Sequence, residues 1–404
     1  MINFIMKKLD NCRIDKNIDN GNMNKVNGYS QVTLSNLKKE WTVEKIKDKP
    51  REYCVTRYNG NSDTIEIPKG IKGGKITCVS RGKKEFANNY VKKITIPDTV
   101  TVIRKRAFFH CKHLSEIEVP DTVSVIEEEA FLGCGCLKKI NIPEGVTKIS
   151  SDVFSGCSSL ESIHIPNSVT VIGFLAFCHC SSLKNINIPQ NVTVISSAAF
   201  KGCSSLKEIF LPKGITRIGS DVFSGCSSLE SIHIPDRVSE IGWGAFGGCH
   251  NLREINIPEG VTKIEDAAFA GCRSITSMTL PDSVTEIGDA AFEGCTGLKK
   301  VHLSDGLICI KWQMFKGCSS LEEINMPKSL TEIQGFAFDA CTNIKKIYIP
   351  ASVTEIGPEV FCECPEVVIS CRAGSYAETY ARENNIKFEM ADGLDGGRDN
   401  VSYI

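Results

Sequence analysis

Leu183-Lys-Asn-Ile186-Asn-Ile188-Pro189, followed ten residues on by Ala199-Phe200-Lys-Gly202-Cys203, is the stretch that decides the fold. Its cysteine recurs every 23 residues, from Cys111 through Cys134 and Cys157 to Cys364. A phenylalanine stands three residues before each, from Phe108 to Phe361, and a proline column runs on the same period from Pro97 to Pro350. Only Ser304 interrupts the prolines. Twelve full units result, and a longer, degenerate one from Pro68 to Ile96 brings the count to thirteen. A fixed period of this length is the signature of a solenoid.

The unit Leu160-Glu-Ser-Ile163-His-Ile165-Pro166 shows how one coil works. Ile163 and Ile165, two apart, share one face of a strand, and His164 between them points the other way. Pro166 has no N–H to give and ends the pairing. The chain turns through Asn167-Ser168 into Val169-Thr-Val-Ile172 and then enters a short segment ending in Ala-Phe-x-Gly-Cys. Apolar residues there fall three or four apart, as in one helical or 3₁₀ turn, and the Gly before Cys suits a terminating position. Each unit presents about eight inward residues that it cannot bury alone, so neighbouring coils must cover them. The expected fold is an α/β solenoid with a parallel sheet on one face, short helical turns opposite and a cap at each end.

The pattern Leu-x-x-Ile-x-Ile-Pro-x-x-Val-Thr-x-Ile-Gly-x-x-Ala-Phe-x-Gly-Cys resembles the BspA-like, or Treponema-type, bacterial leucine-rich repeat over roughly residues 52–390. The resemblance implies a leucine-rich repeat array of the kind found in surface and adhesion proteins of anaerobic bacteria and some protists, most without a defined biochemical activity. The Asn ladder of better-known leucine-rich repeats is absent, since its column reads Gly145, Ser168, Asn191, Gly214, Arg237, Gly260. A hydroxyl column from Thr147 and Thr170 to Thr285 can serve the turn backbone instead.

Three segments are expected. Residues 1–51, with eleven Lys/Arg against six Asp/Glu, form a basic and partly disordered segment. Within it, Leu34, Leu37 and Trp41 fall at helical spacing. Residues 52–390 form the solenoid: Tyr53–Tyr58 and Thr64–Ile67 read as a hairpin cap, and Ser375-Tyr-Ala-Glu378 opens a capping helix before a closing strand at Ile386–Phe388. Residues 391–404 read as a flexible tail.

The whole chain carries a net charge of −1, which argues against a nucleic-acid partner. No run approaches the roughly 20 apolar residues of a membrane span. The first residues lack the order of a secretory leader, so the sequence as written reads as cytoplasmic. A cell-surface location is the alternative if a leader is missing from it.

Of the 20 cysteines, the twelve periodic ones read as buried thiols beside the phenylalanines. Cys134/Cys136, Cys178/Cys180 and Cys362/Cys364 lack the second pair that zinc needs. His164, His233 and His302 share a column but stand three coils apart, about 14 Å at strand spacing, too far to share a metal. No nucleophile or phosphate-loop motif appears. The reading is therefore no enzyme, no cofactor and no metal.

What remains is the outward column two residues before each proline, with candidate ligand-binding residues Asn141, His164, Asn187, Phe210, His233, Asn256, His302, Asn325 and Tyr348. The column four before proline, including Glu208, Ser231 and Glu254, flanks it. A monomeric, non-catalytic recognition or adhesion protein, binding a protein or glycan on this face, is the expected function. The alternative is a structural element that self-associates.

Overall fold

The computed structural model describes residues 31–32, 40–71, 73–82, 86 and 90–391. They form a parallel-strand β-solenoid of about 14 turns. The sequence reading expects one parallel sheet, and the structure has two parallel strand ladders per coil. The first holds the residues before proline, as in Glu208–Phe210, Ser231–His233 and Glu254–Asn256. Register pairs Phe210 with His233 and His233 with Asn256, so equivalent residues of successive units lie side by side. The second holds a two-residue strand ending in Ile after the proline turn, as in Arg217–Ile218, Glu240–Ile241 and Lys263–Ile264.

The third side of the coil corrects the sequence reading. The Ala-Phe-x-Gly-Cys segments are hydrogen-bonded turns, not helical or 3₁₀ elements, and the α-helix of the described residues is Tyr376–Glu383 at the C-terminal cap. Around Phe200 the backbone alternates. Ala198, Phe200 and Gly202 donate to Ser220, Val222 and Ser224 of the next coil, while Ala199, Lys201 and Cys203 donate three residues back in their own coil. Two residues per coil make this possible by taking the left-handed conformation. One column runs from Arg106 through Ala198 to Glu359, and the other from His110 through Gly202 to Glu363. A left-handed residue breaks a helix and turns the next N–H sideways. Bonds that a helix would keep to itself thus hold coil to coil.

Inside, each coil contributes what the pattern promised. In the central unit Ala199, Phe200, Cys203, Leu206, Ile209, Leu211, Ile215 and Ile218 are all buried. Twelve phenylalanines from Phe108 to Phe361 form one offset stack, with centroids 5.2–5.8 Å apart and planes within 16°. The stack ends edge-on at both caps, against Phe86 at 71° and Tyr380 at 63°. Where Ser304 replaces proline, the hydroxyl is fully buried and donates to the Val284 carbonyl, so the vacated position stays satisfied.

The periodic thiols are core groups and donors. Each from Cys134 to Cys364 gives its S–H to the carbonyl of the phenylalanine 26 residues earlier, at 3.0–3.3 Å. Burial pushes Cys157, Cys249 and Cys295 up to about 12, which keeps the proton that the bond requires. The hydroxyl column also acts across coils: Thr170 donates to Thr147, Ser239 to Thr216 and Thr262 to Ser239.

The caps divide. At the C-terminus the expected helix and strand are present: Ser375 caps Tyr376–Glu383, and Lys387–Met390 pairs with Val368–Cys371. At the N-terminus two expectations fail. Glu52–Tyr58 pairs antiparallel with Trp41–Lys45 and parallel with Gly74–Val79, whereas Thr64–Glu66 joins the first ladder, so Tyr53–Tyr58 and Thr64–Ile67 form no hairpin. Trp41 opens a strand and packs on Tyr58 and Phe86, rather than continuing a helix; Leu34 and Leu37 lie outside the described residues, as do 1–30 and 392–404. Cys54 and Cys78, off the 23-residue period and adjacent in register, form a disulfide that the periodic pattern gives no means of finding.

Candidate functional site

Strand alternation sets the site. Ile209 and Leu211 point inward and are buried, so Phe210 between them must project from the sheet, and it is 68% exposed. His233 and Asn256 occupy the same position on the next two strands and are exposed as well. Together with Glu208, Ser231 and Glu254 they border an open groove of about 590 Å³. Arg253, Thr276 and Ser277 close its far side. Arg253 and Thr276 come from the column five before proline, which sequence reasoning passed over because it reads as ordinary surface.

The other candidates are distributed along the column. His164 and Asn187 are exposed neighbours in register, on the two first-ladder strands that precede Phe210's strand. His302 is exposed beside Thr279. Asn141 and Asn325 differ. Asn141 accepts from the Val119 N–H and donates to the Val119 carbonyl, and Asn325 does the same with Leu303. Their amides replace backbone pairing where the ladder is irregular. Tyr348 is half-buried in the strand Lys346–Ile349, in register with Ser370. The groove therefore brings three of the nine candidates together: Phe210, His233 and Asn256.

Charge on this face is arranged unevenly. Toward the N-terminal end Lys93 bridges Glu116 and Glu118 at 2.9 and 2.7 Å, and toward the other end Lys300 meets Glu323 at 2.9 Å. Among the described residues, Glu208, Arg253 and Glu254 in the groove make no ion pair. A second depression, about 440 Å³, lies at the start of the ladder between Asn61, Asp63, Tyr90, Lys92 and His113. Its lining straddles the degenerate first unit, with Asn61 and Asp63 before it and His113 after it, so no column signals it. Among the described residues no three His, Cys, Asp or Glu side chains converge as a metal ion would require, and no helix is long and apolar enough to cross a membrane.

Six copies of the BspA type leucine rich repeat region match residues 79–207, 147–276 and 240–368. The chain belongs to the BspA-type leucine-rich repeat family. Solved structures agree. A leucine-rich repeat protein from Bacteroides ovatus is 27% identical, with TM-score 0.66 over 87% of this chain and 98% of that one. A leucine rich cell surface protein from Faecalibacterium prausnitzii is 26% identical, with TM-score 0.59 over 91% and 99%. The pneumococcal vaccine antigen PcpA shares the fold at 17% identity and TM-score 0.55, over 90% and 98%. No curated protein matches the chain.

Proposed function

We propose that this BspA-type chain is a non-catalytic recognition protein of the adhesion kind, binding a protein or glycan through the outward column of its first strand ladder. One observation carries the reading: Phe210 stands 68% exposed over a groove at mid-array. Leaving a phenylalanine in water forgoes burial of roughly 1.5–3 kcal/mol, which a partner would recover. The family is one of repeat proteins that generally serve interaction, and a relative with the same fold is a cell surface protein. A surface location fits this chain better than the cytoplasm, because the Cys54–Cys78 disulfide suits an oxidising compartment. The buried, protonated thiols would be inert there. Self-association through an apolar end has less support, because the helix Tyr376–Glu383 buries Ala377, Tyr380 and Ala381 against the last coil.

The test is a panel of immobilised glycans and purified surface proteins probed with the full chain. Binding should fall at least tenfold for Phe210→Ser and little for Thr279→Ala. Undiminished binding by Phe210→Ser would place the functional surface elsewhere.

A further inference from the structure

We propose that the groove at Phe210 is a subsite for a neutral polysaccharide, with one pyranose ring lying on Phe210 and the sugar chain running along the outward column; this rests on the groove being the recognition surface. The lining has two characters in an unusual ratio. Its one fully exposed apolar side chain is a single aromatic ring, since Ile209 and Ile232 belong to the buried core beneath and Ile255 is half-buried against it. The other exposed side chains around the ring carry groups able to hydrogen-bond: His233, Asn256, Glu208, Glu254, Arg253 and the hydroxyls beside them. A protein hot spot has the reverse composition, an apolar centre depleted of charge. A pyranose matches what is here. Its C–H face suits the negative face of an aromatic ring. Its perimeter of hydroxyls both donates and accepts, as amide, imidazole, carboxylate and guanidinium groups require.

Three further observations narrow the class. Glu208 and Glu254 outnumber Arg253, so the groove disfavours phosphate, sulfate and uronate polymers. Those charged groups are unpaired among the described residues, whereas Lys93 and Lys300 on the same face are neutralised by neighbouring glutamates, so the groove keeps its polar groups available. The column also repeats its chemistry: the His-Asn pair of the groove recurs three coils earlier as His164–Asn187, both exposed. At strand spacing that is about 14 Å, which suits an extended ligand rather than a single sugar.

The experiment is calorimetric titration of the full chain with hexasaccharides of β-linked glucose, N-acetylglucosamine, mannose and xylose, of α-linked glucose, and with a sulfated heparin hexasaccharide. At least one neutral hexasaccharide should bind. Phe210→Ser and Asn256→Ala should each weaken it tenfold or more at an unchanged melting temperature. Phe210→Trp should retain it, and Val194→Ser, an exposed apolar residue on the second ladder, should not alter it. Binding of the sulfated sugar alone, or binding indifferent to Phe210, would overturn the proposal. If no neutral sugar binds but a protein of the panel is lost on Phe210→Ser, the ligand class is wrong and recognition at this groove stands. If Phe210→Ser alters neither sugar nor protein binding, recognition at this groove falls as well.

Discussion

Gly202 and Gly225 occupy the same position in adjacent coils, both in the left-handed region with φ of +73° and +74°. Their surroundings differ. A Cβ at Gly225 would meet the Gly202 backbone at ordinary contact distance, 3.6 Å from Cα and 3.7 Å from N, whereas a Cβ at Gly202 would stand 2.5 Å from the His179 ring. Gly225→Ala should therefore cost about 1–2 kcal/mol, the price of a left-handed alanine. Gly202→Ala should cost more, because His179 must also move. Chemical denaturation of the two variants gives the comparison, and equal losses would mean that the ring yields freely. His110, His179, Ala340 and Glu363 hold the same conformation without being glycine. So does nearly the whole column from Arg106 to Glu359. That column is invisible in sequence, since nothing about Arg106, Leu175 or Phe336 announces a left-handed residue. For this reason spacing of three and four suggested a helical turn where the chain makes sideways bonds. The outward column, by contrast, was legible from Ile209-Phe210-Leu211 alone, because alternation about a proline fixes which side chain leaves the sheet.

At the scale of the element, the thiol column links packing to pH. A buried thiol holds its proton more tightly than the same thiol in the unfolded chain. Unfolding therefore releases protons once the pH passes the ordinary value of 9.0, and stability, full below it, falls as pH rises toward about 12. Denaturation midpoints should be level from pH 7 to 8 and drop from pH 9 upward, and a variant carrying Ala at Cys157, Cys249 and Cys295 should drop less steeply. An equal slope would show that other groups drive the loss. Native labelling with a thiol reagent should reach exposed Cys136 and half-buried Cys362 first. With Cys54–Cys78 oxidised, 18 of the 20 thiols should react in denaturant, and all after reduction. Rapid native labelling of more than half would remove the column from the core. The C-terminal cap makes a smaller test. Ser375 accepts from the Glu378 N–H, and Ser375→Ala should cost about 1 kcal/mol. That helix was readable because its capping spacing is local. The N-terminal sheet was not, because its strands pair across the degenerate unit, where neither period nor turn residues give the register.

At the scale of the whole molecule, the phenylalanine stack makes stability a sum over neighbouring coils. Phe200 lies between two rings, whereas Phe361 has a stacked neighbour on one side and meets the cap residue Tyr380 edge-on. Phe200→Ala should cost about 3–5 kcal/mol and Phe361→Ala less. The same repetition that builds this core leaves one face free to vary, and the division runs through every coil. Phe200 and Phe210 belong to one 23-residue unit, the first fully buried and the second 68% exposed. The most direct test is the unfolding free energy of Phe210→Ser set beside that of Phe200→Ala in the intact chain. Phe210→Ser should lose no more than about 0.5 kcal/mol while Phe200→Ala loses several. A comparable loss at Phe210 would mean that this side chain supports the fold, and the outward column could not then be the surface the protein keeps for a ligand.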